Sequence, residues 1–168
     1  MGRATNVAGA VFQGNHLNGV DAKGRMSIPA AFRDAVQAIS GEKRVVLLPH
    51  RGLKPCLIGY DTTRAAAINA AQEEKYTADD VSDEEDIGRL RAFALAHNVA
   101  YEDTGRIVLP EDLRDHAEIE DLALLLAAGN SFQVWNPDLF LSENDDPLLV
   151  KFVRRKLEKA REKLGGAK

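Results

Sequence analysis

The sequence predicts an α+β fold built from two copies of one strand–strand–helix–strand–strand unit, with further helices flanking them. Three observations predict it. A block from Asp21 to Asp34 returns 81 residues later as Glu102 to Asp115, with Gly24/Gly105, Arg25/Arg106, Pro29/Pro110, Arg33/Arg114 and Asp34/Asp115 in register. Each block is followed by an apolar run, a glycine-containing turn and a second short apolar stretch. After each proline an apolar residue returns three positions on, as Phe32 and as Leu113. Self-similarity of this kind marks one supersecondary unit used twice.

In chain order, Leu17 to Val20 reads as a strand. Ala22-Lys23-Gly24 turns the chain, with Gly24 available for a positive φ. Met26 to Ile28 returns as a strand. Pro29 suits the first position of a helix, where its missing N–H costs nothing, and Phe32, Ala35, Val36 and Ile39 follow at helical spacing. Val45 to Leu48 and Cys56 to Tyr60, separated by a turn over 51–55, read as a hairpin. The second copy repeats this with Leu122 to Leu126, a turn at Gly129-Asn130-Ser131, and Phe132 to Trp135. Between the copies, Asp61 to Gln72 is Ala-rich and helical. Thr77 to Asp86 carries Asp79, Asp80, Asp83, Glu84, Glu85 and Asp86 and reads as a solvated loop or helix N-terminus. Ile87, Leu90, Arg91, Phe93, Ala94 and His97 continue as a helix. At the end, Pro147 opens a helix whose stripe is Leu149, Phe152, Val153, Leu157, Ala160 and Leu164, stopped by Gly165-Gly166. One such unit alone leaves strand edges open and buries little; two can bury each other's faces.

The double block resembles the MraZ family of bacterial transcriptional regulators. The pattern that carries it is D-x-K-G-R-x-x-I-P-x-x-[FL]-R, met as Asp21, Lys23, Gly24, Arg25, Ile28, Pro29, Phe32 and Arg33 and again, with changes, from Glu102 to Arg114. The resemblance implies two tandem AbrB-like (swapped-hairpin) ββαββ units that form a pseudo-symmetric small β-barrel core. The divisions expected are a tail over 1–10, a first unit with its following helix over 11–76, and an acidic segment and linking helix over 77–98. A second unit over 99–141 and a basic amphipathic helix over 142–168 complete the chain. The resemblance also implies a homo-oligomer, expected as a closed ring, on double-stranded DNA of a promoter or operator with repeated elements.

Charge is strongly segregated along the chain. Residues 1–60 carry eight Lys/Arg against three acids, residues 61–148 six against twenty-one, and residues 149–168 eight against two, for a total of −4. A local positive face attracts phosphate even when the total is negative, and several such faces side by side add through effective concentration. The acidic middle is either a surface that repels DNA or pairs with the basic tail, or an ordinary solvated face. The C-terminal helix either contacts DNA or docks on the core or a neighbouring subunit.

The candidate site is the first loop. Arginine suits a guanine edge or a phosphate because its guanidinium donates in a fixed fork, and Lys23 suits phosphate as a point charge. The resemblance implies that this loop region meets DNA, which makes Lys23, Arg25 and Arg106 the expected DNA-binding residues. Asp21, Gly24, Glu102 and Gly105 are the expected loop-bracing residues. The bare residues leave open a purely structural Asp21–Arg25 pair; the resemblance favours DNA contact. The second loop has Glu102 where the family pattern has aspartate, and Thr104 and Asp103 in place of Lys23 and Ala22, so it is expected to hold phosphate less well. Arg33 and Arg114 read as packing or ion-pair residues common to both halves, with DNA contact as the alternative, and Tyr60 and Trp135 as core or interface aromatics.

Catalysis, metal and cofactor find little support. His16, His50, His97 and His116 are scattered without metal spacing, and neither a phosphate-binding glycine loop nor a dinucleotide fingerprint occurs. Cys56 is the sole cysteine, which excludes an intrachain disulfide and a cysteine-based zinc site. A protein-interaction module, antitoxin-like or a scaffold with an acidic partner, is the alternative reading. A hydrolase using His50 and Cys56 is a third. No stretch approaches a membrane span, and residues 1–6 carry no apolar segment of the signal-peptide kind, so a cytoplasmic protein is expected; the resemblance implies that it is nucleoid-associated.

Overall fold

The structure, a computed structural model, describes residues 9–75 and 82–166. Its elements follow the same order twice. The first series is β1 (Asn15–Gly19), β2 (Arg25–Ser27), α1 (Ala30–Ser40), β3 (Arg44–Pro49) and β4 (Leu57–Tyr60), followed by α2 (Thr62–Lys75) and α3 (Asp83–Phe93). The second is β5 (His97–Ala100), β6 (Arg106–Val108), α4 (Glu111–His116), β7 (Leu122–Ala127) and β8 (Phe132–Trp135), followed by α5 (Pro137–Glu143) and α6 (Pro147–Gly166). The molecule is α+β, as the sequence predicts.

Local chemistry sets the helix ends. Pro29 sits one place earlier than expected, as the N-cap of α1, and its carbonyl accepts from the N–H groups of Phe32 and Arg33 at 2.9 and 3.0 Å. α1 stops at Gly41, whose φ of 72° is left-handed and whose N–H returns to the Gln37 carbonyl. α3 begins with a capping box: Ser82 Oγ accepts from Glu85 N–H while Glu85 Oε2 accepts from Ser82 N–H. Of the six expected acids, Asp83 to Asp86 thus form a helix first turn, whereas Asp79 and Asp80 lie outside the described residues. α3 also ends sooner than its apolar spacing implies, because His97 opens β5 by pairing with Leu47.

Six strands form one antiparallel sheet in the order β1-β7-β8-β4-β3-β5, and β2 pairs with β6 in a separate two-stranded ribbon. The hairpins β3–β4 and β7–β8 pair within a copy. The other four pairings, β1–β7, β3–β5, β4–β8 and β2–β6, join one copy to the other. Most of the sheet's edges are therefore satisfied between the copies, as a unit with open edges requires.

The uninterrupted apolar runs are explained by burial on both faces. Val45 and Leu47 enter the main core with Phe12, Phe32, Val36 and Phe132. Val46 and Leu48 face the other way, against Tyr60 and the α2 residues Ala65 and Ile68. In the second copy Ala123 and Leu125 enter the main core, while Leu124 packs with Trp135, Phe140 and the α6 residue Val153. Tyr60 and Trp135 are accordingly buried side chains of these outer clusters. α6 docks through Val153 and Leu157, but Leu149, Phe152 and Leu164 of the expected stripe stay exposed. Among the described residues no helix is long and apolar enough to cross a membrane.

Three phenylalanines close the centre of the core: Phe12, Phe32 and Phe132 lie with ring centroids 5.0–5.7 Å apart. Phe132 lies directly over its strand partner Gly59, where an added Cβ would stand 2.2 Å from the ring. That glycine lets the two copies approach. Gly59→Ala is expected to destabilise the fold by about 1–3 kcal/mol through overpacking. Denaturant unfolding of Gly59→Ala, Phe132→Leu and the double variant checks it: the double variant should lose less than the sum of the singles, since the smaller side chain vacates the clashing volume.

Candidate nucleic-acid interface

The ribbon of β2 and β6 has an inner and an outer face. Met26 and Ile107 pair and are buried, at 4% and 3% exposure. Arg25 pairs with Val108 and Ser27 with Arg106, so by the period of two all four stand on the outer face. Arg25 and Arg106 are exposed and border one shallow cleft with Ser27 and Asp121. The ribbon is antiparallel, so the loop before each strand lies at the opposite end from the other.

The first loop is pinned by one carboxylate. Asp21 Oδ1 accepts from the N–H groups of Lys23 and Arg25 at 3.0 and 2.9 Å, and Oδ2 accepts from Arg25 Nε at 2.6 Å. Backbone bonds close the same turn, from Gly24 N–H to the Asp21 carbonyl at 2.9 Å and from Asp21 N–H to the Arg25 carbonyl at 3.1 Å. The Arg25 N–H and guanidinium, then the Lys23 N–H, hold the Asp21 carboxyl below its ordinary range. Only one edge of the Arg25 fork is used; no other side-chain partner holds it among the described residues. Lys23 is exposed at the loop tip with no side-chain partner there.

The second loop lacks this pin. Gly105 N–H still donates to the Glu102 carbonyl at 2.7 Å, but among the described residues neither the Glu102 carboxylate nor the Arg106 guanidinium has a hydrogen-bond partner. Asp103 is instead paired with Lys43, whose ammonium holds the Asp103 carboxyl below its ordinary range. The sequence difference between the loops is thus a difference in geometry: one arginine braced and one free.

Each loop is also held by an arginine from the other copy. Arg114 on α4 donates from Nη1 to the Ala22 carbonyl at 3.3 Å and from Nη2 to the Asp21 carbonyl at 3.4 Å, while its Nε donates to the Ile119 carbonyl at 3.1 Å. Arg33 on α1 donates from Nη1 to the Asp103 carbonyl at 2.5 Å and from Nε to the Ile28 carbonyl at 3.1 Å. The guanidinium groups lie over Gly24 and Gly105, both at φ 78°. A Cβ at Gly105 would stand 2.6 Å from Arg33 Nε and from the Ile28 carbonyl oxygen. Sequence reasoning took Arg33 and Arg114 as packing or ion-pair residues and missed this cross-brace; their recurrence in register was its signal. They bond to carbonyls and not to Asp34 or Asp115.

The His50 and Cys56 pair does not form a nucleophile. Cys56 is fully buried and burial pushes its thiol up to about 12, so it stays protonated near neutrality. The His50 Nδ1 accepts from Gly52 N–H at 2.9 Å, and the link between the two residues is only backbone, His50 N–H to the Cys56 carbonyl.

The MraZ protein family model, whose description also carries the term antitoxin-like, matches residues 11–84 and 92–143. The chain is 39% identical to the Transcriptional regulator MraZ of Gluconacetobacter diazotrophicus over 76% of its own length and 80% of that protein's. It is 40% identical to the one of Gluconobacter oxydans, over 77% of each chain. It is 32% identical to the one of Rhodospirillum rubrum, over 75% of its length and 79% of that protein's.

The Asp21 pin has a pH signature. A carboxyl depressed on folding contributes stability that is fully present above its unfolded value, near pH 4, and is lost as pH falls through the lower folded value. Carboxyl-carbon NMR titration is expected to place Asp21 below an ordinary aspartate, and to move it partway back in Arg25→Ala, where the two backbone N–H bonds remain. The same midpoint in both proteins would mean that the guanidinium contributes nothing to the pin.

Proposed function

The chain belongs to the MraZ family, and from that membership we propose that it is a sequence-specific DNA-binding transcriptional regulator. In this reading it contacts a promoter or operator through the hairpin loop of its first repeat, and the ribbon's outer face enters the major groove. The observation that carries it is Arg25, held on that face by Asp21 with most of its fork unused. An antiparallel two-stranded ribbon fits the width of the major groove, and a fixed arginine fork matches a guanine edge. Lys23 supplies a phosphate contact at the loop tip. Arg106, unbraced and beside acidic neighbours, contributes less.

The pairing of four strand sets across the copies supports a tandem swapped-hairpin architecture, with a small barrel-like core formed by units over 11–76 and 99–141. A protomer of net charge −4 offers few phosphate contacts, which supports an oligomer, in our reading a ring, presenting several first loops to repeated DNA elements. Such a protein would work in the cytoplasm on the nucleoid. The term antitoxin-like in the family description favours one competing reading, an acidic protein partner on the same basic loop.

Fragments retained from the protein's own genome give the test. Arg25→Ala is expected to cost about 1–3 kcal/mol per site, multiplied where several loops bind, and Arg25→Lys to restore only part. Lys23→Ala should weaken binding across sequences and lower the salt slope by about 1 per contacting protomer. Arg106→Ala should cost less than either. Normal retention by Arg25→Ala with an unchanged melting curve overturns the reading, and a stoichiometric acidic protein with no DNA preference establishes the competing one.

A further inference from the structure

Two exposed helical faces on this chain are complementary to each other. On α3, Asp83, Asp86, Ile87, Leu90 and Phe93 share one face by their spacing. Ile87 and Leu90 are 47% and 55% exposed, and neither Asp83 nor Asp86 has a side-chain partner among the described residues. On α6, Leu148, Phe152, Arg155 and Lys159 share one face. Leu148 and Phe152 are 65% and 59% exposed, and Arg155 and Lys159 are likewise without side-chain partners there.

The order along the two helices is opposite. α3 runs from acidic to apolar, and α6 runs from apolar to cationic. At 1.5 Å per residue, Asp83 to Phe93 spans about 15 Å and Leu148 to Lys159 about 16 Å. Laid antiparallel, acids meet cations and apolar side chains meet apolar side chains over the same length. A parallel arrangement would place charge on hydrocarbon at both ends. Within the chain α6 packs on α5 and on β1, where Lys156 Nζ donates to the Asn15 carbonyl at 2.7 Å. α3 leads into β5. β1 and β5 are the two outer strands of the six-stranded order, so the faces belong to opposite edges.

We propose that α3 of one protomer docks antiparallel on α6 of the next, so that a second copy of this chain covers both faces. This rests on the oligomeric part of the function proposed above. Because the two faces differ, the contact is heterologous, and its repetition closes into a ring where the rotation permits. The charged ends set the register and orientation, and Phe152 and Leu90, exposed on one protomer and covered in the contact, supply the apolar centre.

Charge exchange tests it by sedimentation of the full chain in buffer of about 0.1 M salt, where surface charges act over roughly 10 Å. Arg155→Glu with Lys159→Glu is expected to bring the assembly down to the mass of one protomer. Asp83→Lys with Asp86→Lys should do the same, and a chain carrying all four changes should reassemble. Phe152→Ser, at an exposed position outside the core, should also dissociate while the protomer keeps the circular-dichroism spectrum of the folded parent. Reversed chains that sediment like the parent, or a four-fold variant that stays dissociated, overturn the interface alone. A monomeric parent overturns the interface and the oligomeric reading together. Loss of DNA retention by the Arg155/Lys159 variant at full assembly mass would make α6 a nucleic-acid face and overturn the docking.

Discussion

Arg114 donates to carbonyls of Asp21 and Ala22, which lie in the other copy, and to those of Ile119 and Glu120 beside its own helix. Arg33 does the equivalent for the second loop through the carbonyls of Ile28 and Asp103. Much of the remaining architecture depends on this exchange. A guanidinium is the one side chain with enough donors in a rigid plane to gather carbonyls that no secondary structure satisfies. It needs room, so the residues beneath it are Gly24 and Gly105. It needs a fixed platform, so each arginine rides on a helix begun by a proline cap. Neither loop is complete until the copies have interleaved.

The interleaving also decides how the sheet is covered. Strands β3 and β7 are apolar on both faces, and the main core takes only one of them. The second face has to be closed by helices, α2 over β3 and α5 with α6 over β7. Those helices come after each copy in the chain, where the repeat no longer constrains the sequence. The flanking helices add charge of their own, acidic in the first turn of α3 and basic in α6, to a first repeat that is net basic and a second that is net acidic. The pinned ribbon and the charged helical faces thus fall on different parts of the molecule.

Much of this was legible in the residues. The fixed offset between the blocks disclosed the repeat, Gly24 disclosed the positive-φ turn of the first loop, and the four-residue interval from Asp21 to Arg25 disclosed the pair. What was not legible has a common physical cause. Alternation tells which face a strand residue takes but not which strand lies beside it, so the pairing of β1 with β7 or β2 with β6 could not be read. Arg33 reaches a carbonyl seventy positions away, and a carbonyl has no sequence signature. Cys56 and His50 looked neighbouring in the hairpin, yet burial disposed of the thiol. In α6 the apolar stripe is real, but a stripe states only that a face is apolar; the core took Val153 and Leu157 and left Phe152 outside.

Covalent tandem linkage changes what selection can do with the two loops. In a dimer of identical chains each change in the loop appears twice, so neither half can be altered without the other. Here the symmetry is approximate, and one half can drift while the other is held. Glu102 and Thr104 stand where Asp21 and Lys23 stand, and Asp103 has found Lys43 as a local partner. The shared arginine braces keep both halves in shape, so divergence at the loop tips is tolerated by the scaffold. The second loop is thereby a spare copy in the genetic sense: its tip can change while the brace that shapes it stays in place.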